Sequence, residues 1–128
     1  MSPPQRIGIF GGTFDPPHVG HIVAALTVRH ELALDRVLLV VANVPWQKVG
    51  QRPITASEHR LGMVRQSVAG LVGLEASAIE VERGGESYTA DTLEELAAPD
   101  RELFLVLGSD AALKLPTWQR TAPIQDLA

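Results

Sequence analysis

The segment Gly11-Gly12-Thr13-Phe14-Asp15-Pro16-Pro17-His18-Val19-Gly20-His21 gathers the residue types in this chain best suited to handling a polyphosphate. Two imidazoles three positions apart at the start of a helix share one face. Paired glycines let the backbone approach a ligand closely, and the amino end of a helix adds partial positive charge. Together these features would surround an oligophosphate with backbone amides and two histidine donors. Nothing in the segment supplies a nucleophile or demands a covalent intermediate. Outside such a context, one histidine of a pair ordinarily caps or packs while the other faces solvent. Asp15, directly before Pro16-Pro17, reads as a turn former that braces the loop.

The flanking pattern has to position this segment. Ile7 to Phe10 is a short apolar run that Gly11-Gly12 breaks, as expected of a buried strand ending in a glycine turn. Apolar positions at helical spacing predict a helix that begins near Val19 to His21 and runs to Leu32. Val37 to Val41 is a continuous Val/Leu run, as expected of a parallel strand covered on both faces. Asn43 to Pro53 reads as a long loop leaving that strand, and loops in this position often carry function. Thr55-Ala56-Ser57-Glu58 fits a capping box for a helix built on Leu61, Val64, Val68 and Leu71. Leu74 to Val81 could hold a short strand, Thr89 to Ala97 a helix, and Leu103 to Leu107 a buried strand ended by Gly108. Ala111 to Leu115 and Ala122 to Leu127 are short helical candidates.

Strands alternating with helices point to one α/β domain over residues 1–128, with a Rossmann-like, doubly wound parallel sheet. Right-handed crossovers would put the loops holding Gly11 to His21, Asn43 to Pro53 and Gly108 to Trp118 beside one crevice. No internal repeat or linker interrupts the chain. Apolar residues make up 45% of it and charged residues 20%, the balance of a globular domain. The formal charge of −4 and the lack of a Lys/Arg-rich run speak against nucleic acid or a membrane surface as partner. With no cysteine, disulfides and thiolate metal sites are excluded. No signal peptide or membrane-spanning stretch is evident, so a cytoplasmic protein is expected.

The segment from Gly11 to His21 resembles the GxFDPxHxGH signature of the HxGH nucleotidyltransferases, which form a nucleotide linkage and release pyrophosphate. Within that superfamily, further motifs resemble nicotinate mononucleotide adenylyltransferases. Pro45-Trp46-Gln47-Lys48 is similar to their substrate loop and offers a lysine to phosphate, although an exposed lysine is the ordinary alternative. Arg60 and Met63 match the pattern that follows, where an arginine on a capped helix is commonly just solvated. Glu82 to Leu93 is similar to the E-x-x-R-x-G-x-S-Y-T-x-D-T-L region, with approximate spacing around Arg83. Gly108-Ser109-Asp110, then Leu115 and Trp118, resemble G-[AST]-D-x-x-x-x-L-x-x-W.

The resemblance implies ATP contacts from Gly11, Gly12, Thr13, Phe14, His18, His21, Gly108 and Asp110. It implies nicotinate mononucleotide contacts from Lys48, Tyr88, Thr89 and Trp118, the last stacking on the pyridine ring, as a flat aromatic platform can. Thr89 also suits the N-cap of its helix. The implied reaction is attack of the mononucleotide phosphate on the α-phosphorus of ATP. That phosphate is already ionised, so alignment and charge stabilisation by His18, His21 and Lys48 would carry the catalysis. Magnesium would arrive with ATP, with few or no protein ligands.

The family's pattern continues with a strand and an I-S-[ST]-T-x-x-R motif that holds ATP phosphates, and no such string occurs here. The expectation is therefore a domain lacking its carboxyl-terminal portion, with exposed apolar surface, reduced stability and a tendency to self-associate as a homo-oligomer. Two rival readings remain: a sibling transferase with phosphopantetheine or glycerol phosphate as acceptor, and a nucleotide-binding module without activity. A dinucleotide-binding oxidoreductase domain is disfavoured because no GxGxxG is present.

Overall fold

A strand with no polar alternation must be covered on both faces, and the run from Val37 to Val41 meets that requirement. The computed structural model describes residues 3–45, 54–107, 124, 127 and 128, with the backbone alone at 44, 45 and 86. In chain order the elements are β1 (Gln5–Gly12), α1 (Val19–Glu31), β2 (Arg36–Val41), β3 (Val44–Pro45), α2 (Ser57–Val68), β4 (Leu74–Ser77), α3 (Ile79–Arg83), β5 (Glu86–Ser87), α4 (Thr89–Leu96) and β6 (Arg101–Val106). Successive residues of β2 face opposite ways. Val37, Leu39 and Val41 pack in one cluster with Ala25 of α1 and Leu61, Val64 and Val68 of α2. Leu38 and Val40 pack in another, with Ile7 and Ile9 of β1 and Ala90 and Leu93 of α4. The result is a parallel sheet between two helical layers.

The sheet runs β4-β2-β1-β6, with every neighbour parallel. The chain steps from β1 to β2 on one side and later returns to β6 on the other. The strand order thus reverses between β1 and β6, and in an open α/β sheet the crevice at such a reversal is where ligands bind. The loop from Thr13 to His18 leaves the carboxyl end of β1 at that crevice.

Three local expectations need correction. β1 does not end in a glycine turn: Gly11 and Gly12 stay in the ladder opposite Val40 and Val41, and the chain leaves the strand only after Gly12. The run from Leu74 to Val81 does hold the expected short strand, β4, which stops at Ser77, and Ile79–Arg83 follows as a single helical turn. The loop after β2 is not free of pairing, since Val44 and Pro45 form a two-residue parallel ladder with Glu86 and Ser87.

Finally, neither predicted side-chain cap forms. Ala56 occupies the N-cap of α2 and Tyr88 that of α4, and neither makes a side-chain capping bond. The Thr55 amide is instead taken by Asp15, and Thr89 lies one residue inside its helix. Along α1, the apolar side chains of Val19, Val23 and Leu26 are exposed. No helix among the described residues is long and apolar enough to cross a membrane.

Candidate functional site

His18 and His21 cap each other's backbone. His18 is the N-cap of α1 in an extended conformation, and its Nδ1 accepts from the Gly20 amide at 3.1 Å. The His18 amide in turn donates to Nδ1 of His21 at 3.0 Å. The two rings stack, with centroids 3.8 Å apart and planes inclined by 29°. Gly20 makes the arrangement possible, because a Cβ there would stand 2.9 Å from the His18 ring. With each Nδ1 accepting from an amide, the proton of each neutral ring belongs on Nε2. Two N–H donors are thereby fixed at the amino end of a helix, where an anion is favoured.

The loop backs this pair. Phe14, at φ 52°, turns its ring into the core, edge-on to His21 at 4.9 Å and to Phe10 at 5.8 Å. Its side chain therefore supports an imidazole from the protein interior. A Cβ on Gly12 would press on the Phe14 ring at 3.1 Å, whereas a Cβ on the exposed Gly11 would meet nothing within 4 Å. Gly11 thus leaves bare backbone beside open space, the setting a phosphate needs for close approach. Burial, and then the charge of His18, lower the pKa of His21 from its ordinary 6.5.

Arg60 holds the loops together. Its side chain is 1% exposed. Nε donates to the Thr55 carbonyl at 2.6 Å, Nη1 to those of Thr13 at 3.0 Å and Ala42 at 2.5 Å, and Nη2 to that of Asn43 at 2.8 Å. One guanidinium therefore joins the loop after β1, the loop after β2 and the approach to α2. Asp15 adds a strand to the same knot, with Oδ2 accepting from the Thr55 amide at 2.9 Å. Burial lowers the arginine's pKa, and the negative charges of Asp15 and Glu58 oppose that shift. The expectation of a solvated Arg60 is overturned. Its position carried the signal, since 60, 64 and 68 recur at helical spacing and the last two are core valines.

The segment from Glu80 to Thr92 forms a second polar cluster. Glu80 is 7% exposed and accepts hydrogen bonds from the hydroxyl of Thr92 and the side chain of Ser87. Burial raises its pKa, against those hydroxyls and the charge of Arg83, which lower it. The motif spacing that is only approximate when counted from Glu82 is met at every position when counted from Glu80, three residues before Arg83. Tyr88 and Thr89, the described candidates for the pyridine side, are half-buried beside this cluster. Lys48, Gly108, Asp110 and Trp118 lie outside the described residues. No group of three or more His, Asp or Glu side chains suited to a metal ion occurs among the described residues.

Comparison with known proteins gives the chain's family and fold. A family model described as cytidylyltransferase-like matches residues 9–127. A curated relative from Desulfatibacillum aliphaticivorans, named "Probable nicotinate-nucleotide adenylyltransferase", is 47% identical over 124 residues, which is 97% of this chain and 57% of the relative. A relative of the same name from Methylibium petroleiphilum is 46% identical, over 91% of this chain and 55% of its own length. The chain thus spans little more than half the length of these relatives. Among solved structures, the nicotinic acid mononucleotide adenylyltransferase of Plasmodium falciparum complexed with NaAD superposes with a TM-score of 0.77. It is 20% identical, and the match covers 94% of this chain and 60% of that one. At that identity the likeness establishes the shared fold.

Two outcomes are expected. Arg60→Met keeps the side chain's length but leaves four carbonyls without their donor, and should lower unfolding free energy by about 3 kcal/mol or more in a denaturant titration. His21 has a lowered folded pKa, so the stability contributed by its neutral ring is complete above pH 6.5 and lost as pH falls through the folded value. Wild-type stability should therefore decline more steeply below pH 6.5 than that of His21→Ala, as read by urea unfolding across that range.

Proposed function

The chain belongs to the cytidylyltransferase-like family, and from that premise we propose that it transfers the adenylyl group of ATP to nicotinate mononucleotide in the cytoplasm. The products are nicotinate adenine dinucleotide and pyrophosphate, a step toward NAD. The observation that carries this reading is the reciprocal His18–His21 cap at the amino end of α1. It presents donors to a polyphosphate and contains no nucleophile. The names of the curated relatives support the choice of acceptor.

The chemistry follows from the donor set. The attacking atom is an oxygen of the mononucleotide's own phosphate, which is ionised at neutral pH and needs no general base. Nε2–H of His18 and of His21 donates to the ATP phosphates and stabilises the charge that develops as pyrophosphate leaves. Because Gly20 and the two amide bonds hold the rings in place beforehand, little reorganisation accompanies the reaction. Lys48 on the loop after β2 would add positive charge, Gly108 and Asp110 would contact nucleotide, and Trp118 would stack on the pyridine, all carried by the sequence resemblance. Magnesium would neutralise phosphate charge and enter bound to ATP. Imidazole N–H groups and backbone amides suit the anion, so the cation would ride on the phosphates.

Pyrophosphate release from ATP and magnesium should be strongest with nicotinate mononucleotide when that acceptor, nicotinamide mononucleotide and phosphopantetheine are offered in parallel. His18→Ala should reduce it by about 100-fold or more. Release only with phosphopantetheine would identify a different acceptor class, and ATP binding without release from any acceptor would reduce the reading to a nucleotide-binding module.

A further inference from the structure

The buried cluster around Glu80 joins two segments that the sequence keeps far apart. On one side is Asn43, in the loop after β2; on the other are Ser87 and the residues that follow it, Tyr88 and Thr89. The Asn43 amide donates to Oγ of Ser87 at 2.8 Å, and Nδ2 of Asn43 donates to the Gly85 carbonyl at 2.9 Å. A hydroxyl has a single proton. Since Ser87 accepts from Asn43, its own proton is free to go to Glu80, its other side-chain partner. Thr92 is placed the same way: it accepts from Nη2 of Arg83 at 3.2 Å and donates to Glu80. Arg83 is drawn outward by Glu95, at 2.9 Å. Glu80 is thus the common acceptor on which both hydroxyl protons converge.

A buried carboxylate is a poor means of gaining stability, because removal from water opposes it and an apolar side chain of similar size would pack there at less cost. What it contributes is direction. It takes the protons of both hydroxyls, so that Thr92 on α4 and Ser87 on β5 are tied to α3, and through Ser87 the loop after β2 is tied as well. We propose that Glu80 is a positioning residue for the acceptor side of the site: it presets the Ser87–Thr89 segment against the loop after β2 and so governs affinity for the mononucleotide without touching it. This rests on the reading of Tyr88 and Thr89 as acceptor-side contacts. The histidine cap makes its bonds within residues 18–21, and Arg60 meets the cluster only through Asn43, whose carbonyl it binds while the Asn43 amide binds Ser87.

The test is calorimetric binding of nicotinate mononucleotide and, separately, of a non-hydrolysable ATP analogue to the whole chain as wild type, Glu80→Gln and Ser87→Ala. Amide hydrogen exchange at Asn43 is followed in each. Glutamine keeps the size of Glu80 but cannot accept at both of its polar atoms, and Ser87→Ala cuts the link at its other end. Each folded variant should bind the mononucleotide about tenfold more weakly, bind the ATP analogue as wild type does, and exchange the Asn43 amide faster. Mononucleotide affinity unchanged in a folded variant, or equal weakening of both ligands, would overturn the proposal. Should the wild type prefer phosphopantetheine, the proposed reaction fails while the role of Glu80 is read on that acceptor's affinity; binding of no acceptor would overturn both.

Discussion

One buried guanidinium determines how the ends of two strands meet. Parallel strands present their loops on the same edge, but nothing in the ladder itself sets the distance from the loop after β1 to the loop after β2. Arg60 does so by donating to carbonyls of Thr13, Ala42, Asn43 and Thr55. A buried cation is tolerated only when its donors are met, so those four carbonyls must converge, and the loops that carry them are held in the geometry the arginine requires. The helix supplying it is anchored by Leu61, Val64 and Val68 in the core. The same apolar stripe that stabilises α2 thereby aims Arg60 at the site.

Downstream of that knot, each layer of the site rests on the one beneath it. The turn after Gly12 sends Phe14 inward, its ring supports His21, His21 receives the His18 amide, and His18 receives the Gly20 amide. Gly20 is needed because a Cβ would collide with the His18 ring. The histidines are therefore structural caps as well as candidate ligands, and the two roles reinforce each other. Capping uses Nδ1 and leaves Nε2–H for an anion. The Glu80 cluster follows the same logic, with each buried hydroxyl accepting from one neighbour and donating to the carboxylate.

The α/β architecture was legible because it depends on long-range periodicity. The uninterrupted run of β2 demanded two covering layers, and the helical spacing of 61, 64 and 68 demanded a buried face. The bracing role of Asp15 was also legible from its place before two prolines. Caps were not, because competition decided them: Thr55 gives its amide to Asp15, which is distant in sequence, and the helix begins elsewhere. Arg60 was misjudged and Glu80 passed over because a charged residue is ordinarily solvated, and only the third dimension supplies the carbonyls or hydroxyls that permit burial. The ladder between Val44–Pro45 and Glu86–Ser87 has too few residues to leave a pattern in the sequence at all.

The central claim is that the histidines are locked with Nδ1 to the backbone and Nε2–H toward polyphosphate. Nitrogen-15 spectra of labelled histidine, recorded above pH 6.5 with and without a non-hydrolysable ATP analogue, address it directly. Both rings are expected in the Nε2–H form, with Nε2 resonances that shift as the analogue is added. An Nδ1–H tautomer at either ring, or resonances indifferent to the analogue, would contradict it.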